Sequence, residues 1–121
     1  MRTVLVVEDE FGVADVIVAA LEDEGYRVIV AANGRQGMDR LREAVPALII
    51  MDFMMPVMDG AAMGAAVRAD PTFAGLPIIM TSAISEPAVR ERFPHYQAFL
   101  RKPFRVQELL DCVAELLGTE K

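Results

Sequence analysis

The chain has 121 residues, of which 54% are hydrophobic and 25% charged, enough apolar material for one buried core and too much for a disordered segment. Its 18 acidic and 12 basic residues leave a net charge of −6, which argues against a nucleic-acid duplex as direct partner because phosphate neutralisation needs a basic surface. No apolar run approaches the roughly 20 residues of a membrane span, and Met1-Arg2-Thr3 before Val4 is too short and too soon followed by acid for a signal peptide.

Strand-like and helix-like segments alternate along the chain. Val4-Leu5-Val6-Val7 reads as a strand buried on both faces. Phe11, Ala14, Val18 and Leu21 then recur at helical spacing, and Gly25 stops that helix. Residues 27–31 form the second strand, Asn33-Gly34 a turn or cap, and Met38, Leu41 and Val45 the stripe of a second helix ended by Pro46. The third strand is residues 47–51, followed by a loop from Asp52 to Asp59 and a small-residue helix from about Gly60 to Ala69, with Met63 and Val67 facing inward. Residues 76–80 and 97–100 supply the last two strands, and Val106, Leu109, Leu110, Val113 and Leu117 mark a final amphipathic helix. Between Ser85 and Tyr96, Pro87 and Pro94 leave room for a fourth helix of at most two turns.

Five such βα units predict a single domain over residues 1–121, an α/β fold with a doubly wound, five-stranded parallel sheet, five helices and a short or irregular fourth helix. Sheets of this kind bind ligands beyond the carboxyl ends of their strands. The residues at those ends are Glu8-Asp9-Glu10, Asp52, Thr81-Ser82 and Lys102-Pro103. Three carboxylates held together repel one another unless a cation or protons neutralise them, and a hard divalent ion such as Mg²⁺ takes oxygen ligands of this type. The plainer alternative is that acidic residues begin the first helix, favoured by its dipole. That alternative is preferred for Glu10 and stays open for Asp9 taken alone. Asp52, behind five apolar residues, is either a capping residue or a carboxylate nucleophile. Lys102 is either a surface ion-pair partner or a cation for a carboxylate or phosphoryl oxygen. It stands out because Lys121 is the one other lysine. Ser82 either caps the next segment of the chain or donates to a phosphoryl oxygen. The bland reading is strong for each residue singly and weak for four at one sheet edge.

Taken in order, Val7-Glu8-Asp9-Glu10, Asp52 with Met54-Met55-Pro56 and Asp59-Gly60, Ser82-Ala83 and Lys102-Pro103-Phe104 resemble the receiver domains of bacterial two-component response regulators. The resemblance runs from Val4 to about Leu117 and implies a flavodoxin-like receiver fold. It also implies a phosphoacceptor role for Asp52, fed by a sensor histidine kinase or a histidine phosphotransfer protein. Glu8, Asp9, Asp52 and the main-chain carbonyl of Met54 are then the ligands of Mg²⁺ (or Mn²⁺). Ser82 and Lys102 contact the phosphoryl group, and Phe99 takes the place of the switch aromatic. The chain is on this reading a signalling domain rather than an enzyme with a separate substrate, although it catalyses its own phosphorylation and dephosphorylation. Met54 and Ile84 occupy two positions that tune the lifetime of the phosphorylated form, and neither hydrogen-bonds water, so slow self-dephosphorylation is expected.

The region around His95-Tyr96-Gln97 departs from the family pattern, so dimer geometry and output partner are not carried over. The expectation is a monomer or weak dimer with an unknown downstream protein and no membrane contact. His95 reads as a surface loop residue, since nothing nearby completes a metal set, and Cys112 as a small packing residue. With one cysteine and no leader pattern, a cytoplasmic location is expected. The opening Met1 and the lack of a linker favour a stand-alone receiver over an excised domain.

Three rivals fit less well. A phosphatase of the haloacid dehalogenase type needs a second acid two residues after its nucleophile, where this chain has Met54. A flavodoxin-like electron carrier needs a phosphate cradle after the first strand, where Glu8-Asp9-Glu10 would repel the ligand. A degenerate receiver that serves only as an interaction module would not keep acceptor, acid pair, hydroxyl and lysine together.

Overall fold

In the computed structural model, which describes residues 2–118, β-branched and aliphatic runs form five strands: β1 (Thr3–Val7), β2 (Arg27–Ala31), β3 (Leu48–Asp52), β4 (Ile78–Ser82) and β5 (Ala98–Arg101). Between and after them lie α1 (Phe11–Asp23), α2 (Gly34–Glu43), α3 (Gly60–Ala69), α4 (Glu86–Arg92) and α5 (Val106–Leu117). All pairings are parallel and the strand order is β2-β1-β3-β4-β5. The chain passes from β1 outward to β2 and then crosses back over β1 to β3, so the crevice of an open α/β sheet falls at the ends of β1 and β3. Met1, Lys121 and the expectations that concern the chain ends lie outside the described residues.

Successive side chains of a strand face opposite sides, and the two sides carry separate cores. Leu5, Val7, Ile49, Met51, Ile78 and Met80 pack with Met38, Leu41, Met63, Val67, Val89 and Phe93 of α2 to α4 and the segment after α4. Val4, Val6, Leu48, Ile50 and Ile79 pack with Ile17 and Leu21 of α1 and Leu109, Val113 and Leu117 of α5. The doubly wound architecture, the inward Met63 and Val67 and the two-turn fourth helix are as the sequence predicts.

Several local expectations need correction. Phe11 is 78% exposed. It is the first residue of α1, beyond the strand ends, where no sheet surface lies beneath it. The buried stripe is Ala14, Ile17 and Leu21, with Val18 half-buried. Val45 is also exposed, because α2 ends at Glu43 and Ala44 is already extended (φ −158°, ψ 127°), close to the conformation a residue near a proline favours. β3 extends to Asp52 and β4 to Ser82, each farther than the apolar run, since Asp52 pairs with Thr81 across the sheet. Both functional candidates therefore stand on strands rather than on loops. Asn33 is a cap: its Oδ1 accepts from the Gln36 N–H at 2.9 Å.

Candidate phosphoacceptor and metal site

The site is built by the ends of β1, β3, β4 and β5. Glu8 follows β1 directly and is 2% exposed, and Asp52 closes β3 and is 5% exposed. Asp9 is half-buried beside them. One carboxylate oxygen from each of Glu8, Asp9 and Asp52 lies within 4.8 Å of the others. Lys102, just past β5, reaches into this group, with Nζ 2.7 Å from Glu8 Oε1 and 3.4 Å from Asp52 Oδ2. The lysine is anchored by its main chain, whose N–H donates to the Ser82 carbonyl at 2.7 Å. Glu8 Oε2 accepts a further bond from the Glu10 N–H at 3.2 Å. Three carboxylates and one ammonium leave two formal negative charges in a pocket largely removed from water.

The electrostatic consequence falls on Asp52. Burial raises its pKa and the Glu8 carboxylate raises it further, while Lys102 opposes both, so the group is pushed up to about 6. For Lys102, desolvation favours the neutral amine, but hydrogen bonds and attraction from Glu8 and Asp52 outweigh it and the net shift is upward. The ammonium is thus held charged.

Short-range structure explains why the loop after Asp52 carries Asp59-Gly60. Asp59 Oδ1 caps α3 by accepting from the Ala62 N–H at 2.9 Å. A Cβ on Gly60 would stand 2.7 Å from the Asp52 carbonyl oxygen and 2.8 Å from Phe53 Cα, so only glycine lets the start of α3 press on the backbone of the acid. Within that loop Val57 takes a positive φ of 68°, a costly conformation for a β-branched residue.

Ser82 is fully buried at the end of β4, and its Oγ accepts from the Ile84 N–H at 3.1 Å. It stands one residue beyond Thr81, the cross-strand partner of Asp52. Phe99, half-buried on β5, pairs with Met80 across the sheet, and its ring centroid is 6.0 Å from that of Tyr96. Met54 is exposed on the loop two residues past Asp52. Of the residues predicted from sequence, the structure brings Glu8, Asp9, Asp52 and Lys102 into one cluster. Ser82 is set on the neighbouring strand, and Phe99 on the strand beyond it. His95 is an exposed loop residue whose carbonyl accepts from Arg68 Nε at 3.0 Å. Cys112 is half-buried against the α1–α5 core.

A family model described as "Response regulator receiver domain" matches residues 4–114. The chain belongs to the response regulator receiver domain family. Among relatives of this receiver domain is response regulator Rre1 of Synechocystis sp., 38% identical over 124 residues that cover 98% of this chain and 53% of that protein. The receiver chain spans about half the length of the curated relatives it matches. Two solved receivers share the fold closely. One is the receiver domain of sensor histidine kinase PA1611 from Pseudomonas aeruginosa, with a magnesium ion coordinated in its active-site cleft (TM-score 0.89, 31% identity, 97% of this chain and 98% of that one). The other is response regulator TrrA from Thermotoga maritima in complex with Mg²⁺ and BeF (TM-score 0.87, 26% identity, 97% of this chain and 100% of that one). The five-stranded architecture is therefore the receiver fold, and at its strand ends Glu8, Asp9 and Asp52 form a group able to hold a metal. No helix among the described residues is long and apolar enough to cross a membrane.

Sequence reasoning did not find three sets of side-chain pairings that link the elements. Arg92 Nη2 donates to Asp59 Oδ2 at 3.0 Å, and the Tyr96 hydroxyl donates to Glu86 Oε2 at 2.6 Å. Arg68 donates to the carbonyls of Ala74, Leu76 and His95 and to Gln97 Oε1 at 2.7–3.1 Å. Arg68 carried a faint signal as the one charged residue in an otherwise small and apolar helix. The other two join residues far apart in sequence and carried none.

Proposed function

We propose that Asp52 accepts a phosphoryl group in a reaction that depends on a divalent metal, and that the chain serves as a phosphorylation-controlled switch. The observation that carries this reading is the convergence of Asp52, Glu8, Asp9 and Lys102. A nucleophilic carboxylate stands among two further oxygen donors and one ammonium, at the switch point of the sheet. In the reaction, an Asp52 carboxylate oxygen attacks the phosphorus of a phosphohistidine. The new O–P bond forms as the N–P bond breaks, and the departing imidazole takes up a proton. Glu8, Asp9, Asp52 and the main-chain carbonyl of Met54 are the proposed ligands of Mg²⁺ (or Mn²⁺). Hard oxygen donors and two net negative charges fit such an ion, which when bound neutralises charge on the phosphoryl oxygens. On this reading Lys102 pairs with one phosphoryl oxygen and the Ser82 hydroxyl donates to another. Phe99 is proposed to respond to Ser82.

This makes the chain a phosphoacceptor signalling domain that catalyses its own phosphorylation and dephosphorylation. The donor is a sensor histidine kinase or histidine phosphotransfer protein, and the receiver of the signal is a further protein. We read residues 1–121 as one receiver domain, cytoplasmic, and monomeric or weakly dimeric. Its surface charge favours protein over nucleic-acid contacts. Incubation with Mg²⁺ and acetyl phosphate tests the reading: one phosphoryl mass is gained by the wild type and none by Asp52→Asn. Steady hydrolysis of phosphate esters, or a mass gain that survives Asp52→Asn, overturns it.

A further inference from the structure

α4 is a seven-residue helix fixed at both ends by side chains of other elements. At its start Glu86 Oε2 accepts a 2.6 Å hydrogen bond from the hydroxyl of Tyr96, a buried residue just before β5. Arg90 closes over this contact, 3.5 Å from Glu86 and 5.2 Å above the Tyr96 ring. At its end Arg92 bonds Asp59, the cap of α3, and lies 5.1 Å over the Phe53 ring. Burial, together with the bond to Glu86, pushes the Tyr96 hydroxyl up to about 12, so it remains a donor at any physiological pH.

The first contact is mechanically joined to the site. Only Ala83, Ile84 and Ser85 separate Ser82 from Glu86, and Ser82 Oγ holds that tether by accepting the Ile84 N–H. If Ser82 turns its hydroxyl toward a phosphoryl group on Asp52, Oγ swings away from Ile84 and the tether loses its hold. The first turn of α4 is then released toward a new position. Tyr96 is held back by the sheet, because its ring belongs to the same core as Ile78 and Met80 of β4 and lies 6.0 Å from that of Phe99 on β5. A contact present in one conformation and stretched in the other shifts the balance between them by its own free energy.

We propose that the Tyr96–Glu86 hydrogen bond is a brake that holds α4 in the resting position and weakens phosphoryl-type ligands at Asp52. The proposal rests on the reading of Asp52 and Ser82 given above. It concerns Tyr96, which lies in the His95-Tyr96-Gln97 stretch where this chain departs from the receiver pattern before β5.

The test is a titration of the full chain with beryllofluoride in saturating Mg²⁺, followed by the ¹⁹F signal of the bound species, for wild type, Tyr96→Phe and Glu86→Gln. Tyr96→Phe keeps the ring and removes the donor. It is expected to bind about threefold to tenfold tighter, the net size of one ordinary hydrogen bond lost from the resting state alone. Glu86→Gln keeps an acceptor without its charge and is expected to fall between. Thermal melting of each variant checks that it is folded. Lower stability with unchanged beryllofluoride affinity in both variants makes the bond purely structural and overturns the brake, as does weaker binding. Should the wild type form no adduct, or Asp52→Asn form one, the phosphoacceptor reading itself fails and the brake with it.

Discussion

Replacing Asp52 by asparagine removes a carboxylate that the fold holds at a cost. Burial and the Glu8 charge move its pKa from 3.8 to about 6, a difference of about two units, or about 3 kcal/mol at about 1.4 kcal/mol per unit. Because the folded state binds this proton more tightly than the unfolded chain, the penalty is absent below the unfolded value near 4. It grows as pH rises between about 4 and 6, and is fully present above the folded value. Asp52→Asn, nearly isosteric and uncharged, is therefore expected to be more stable than wild type at pH 7.5 by up to about 3 kcal/mol. That corresponds to a Tm higher by on the order of 10 °C for a chain of this size. The two proteins should converge near pH 4. Millimolar Mg²⁺ should narrow the gap at pH 7.5 by stabilising the wild type, which binds the ion better. Urea denaturation at a series of pH values, with and without Mg²⁺, measures all three effects. An asparagine variant no more stable than wild type at pH 7.5, or a gap that does not change with pH, would refute the electrostatic account of the pocket.

Other consequences arise from the same geometry. Lys102→Ala leaves the buried Glu8 carboxylate without its 2.7 Å partner and should cost about 3 kcal/mol of stability in metal-free buffer, with partial recovery on adding Mg²⁺; an unchanged urea midpoint would contradict this. Arg68→Ala releases three carbonyls and the Gln97 side chain at the edge of β4 and β5 and should lose about 2 kcal/mol, measured in the same way, with little effect on Mg²⁺ binding. Met54 and Ile84, both solvent-exposed on the loops flanking the acid, offer no hydrogen bond to an attacking water. The phosphorylated chain should accordingly decay slowly, and asparagine at position 54 should speed the loss several-fold; decay of the wild type within seconds by phosphate-release assay would oppose it.

The parts of this molecule legible in its sequence are those governed by local pattern. Hydrophobic runs separated by amphipathic stretches specify five strands and five helices, and the parallel topology comes from their alternation. Once that topology is assumed, Glu8, Asp52, Ser82 and Lys102 fall at one edge of the sheet without any knowledge of distances. Pattern misleads where position in the fold overrides it. Phe11 keeps helical spacing but sits above the end of the sheet, and Val45 continues a stripe whose helix has already ended before Pro46. The limits of β3 and β4 are hidden at Asp52 and Ser82 because a polar residue suggests the end of a strand, whereas cross-strand pairing continues through both. The Tyr96–Glu86 and Arg92–Asp59 bonds are invisible for a different reason: partners ten and thirty-three positions apart meet only through the packing of α4. The balance of charges inside the pocket is likewise beyond sequence, since it depends on which carboxylate the lysine approaches most closely.

The sheet of this protein is also a partition. Val6 faces α1 and α5, whereas its neighbour Val7 faces α2, α3 and α4. Adjacent codons of one strand thus report to different sides of the molecule. Core substitutions on β1 and β3 should sort into two classes by the parity of their position, each felt on one side and largely silent on the other. A lineage of such chains is then free to reshape the side bearing α4 while leaving the packing beneath α1 and α5 undisturbed.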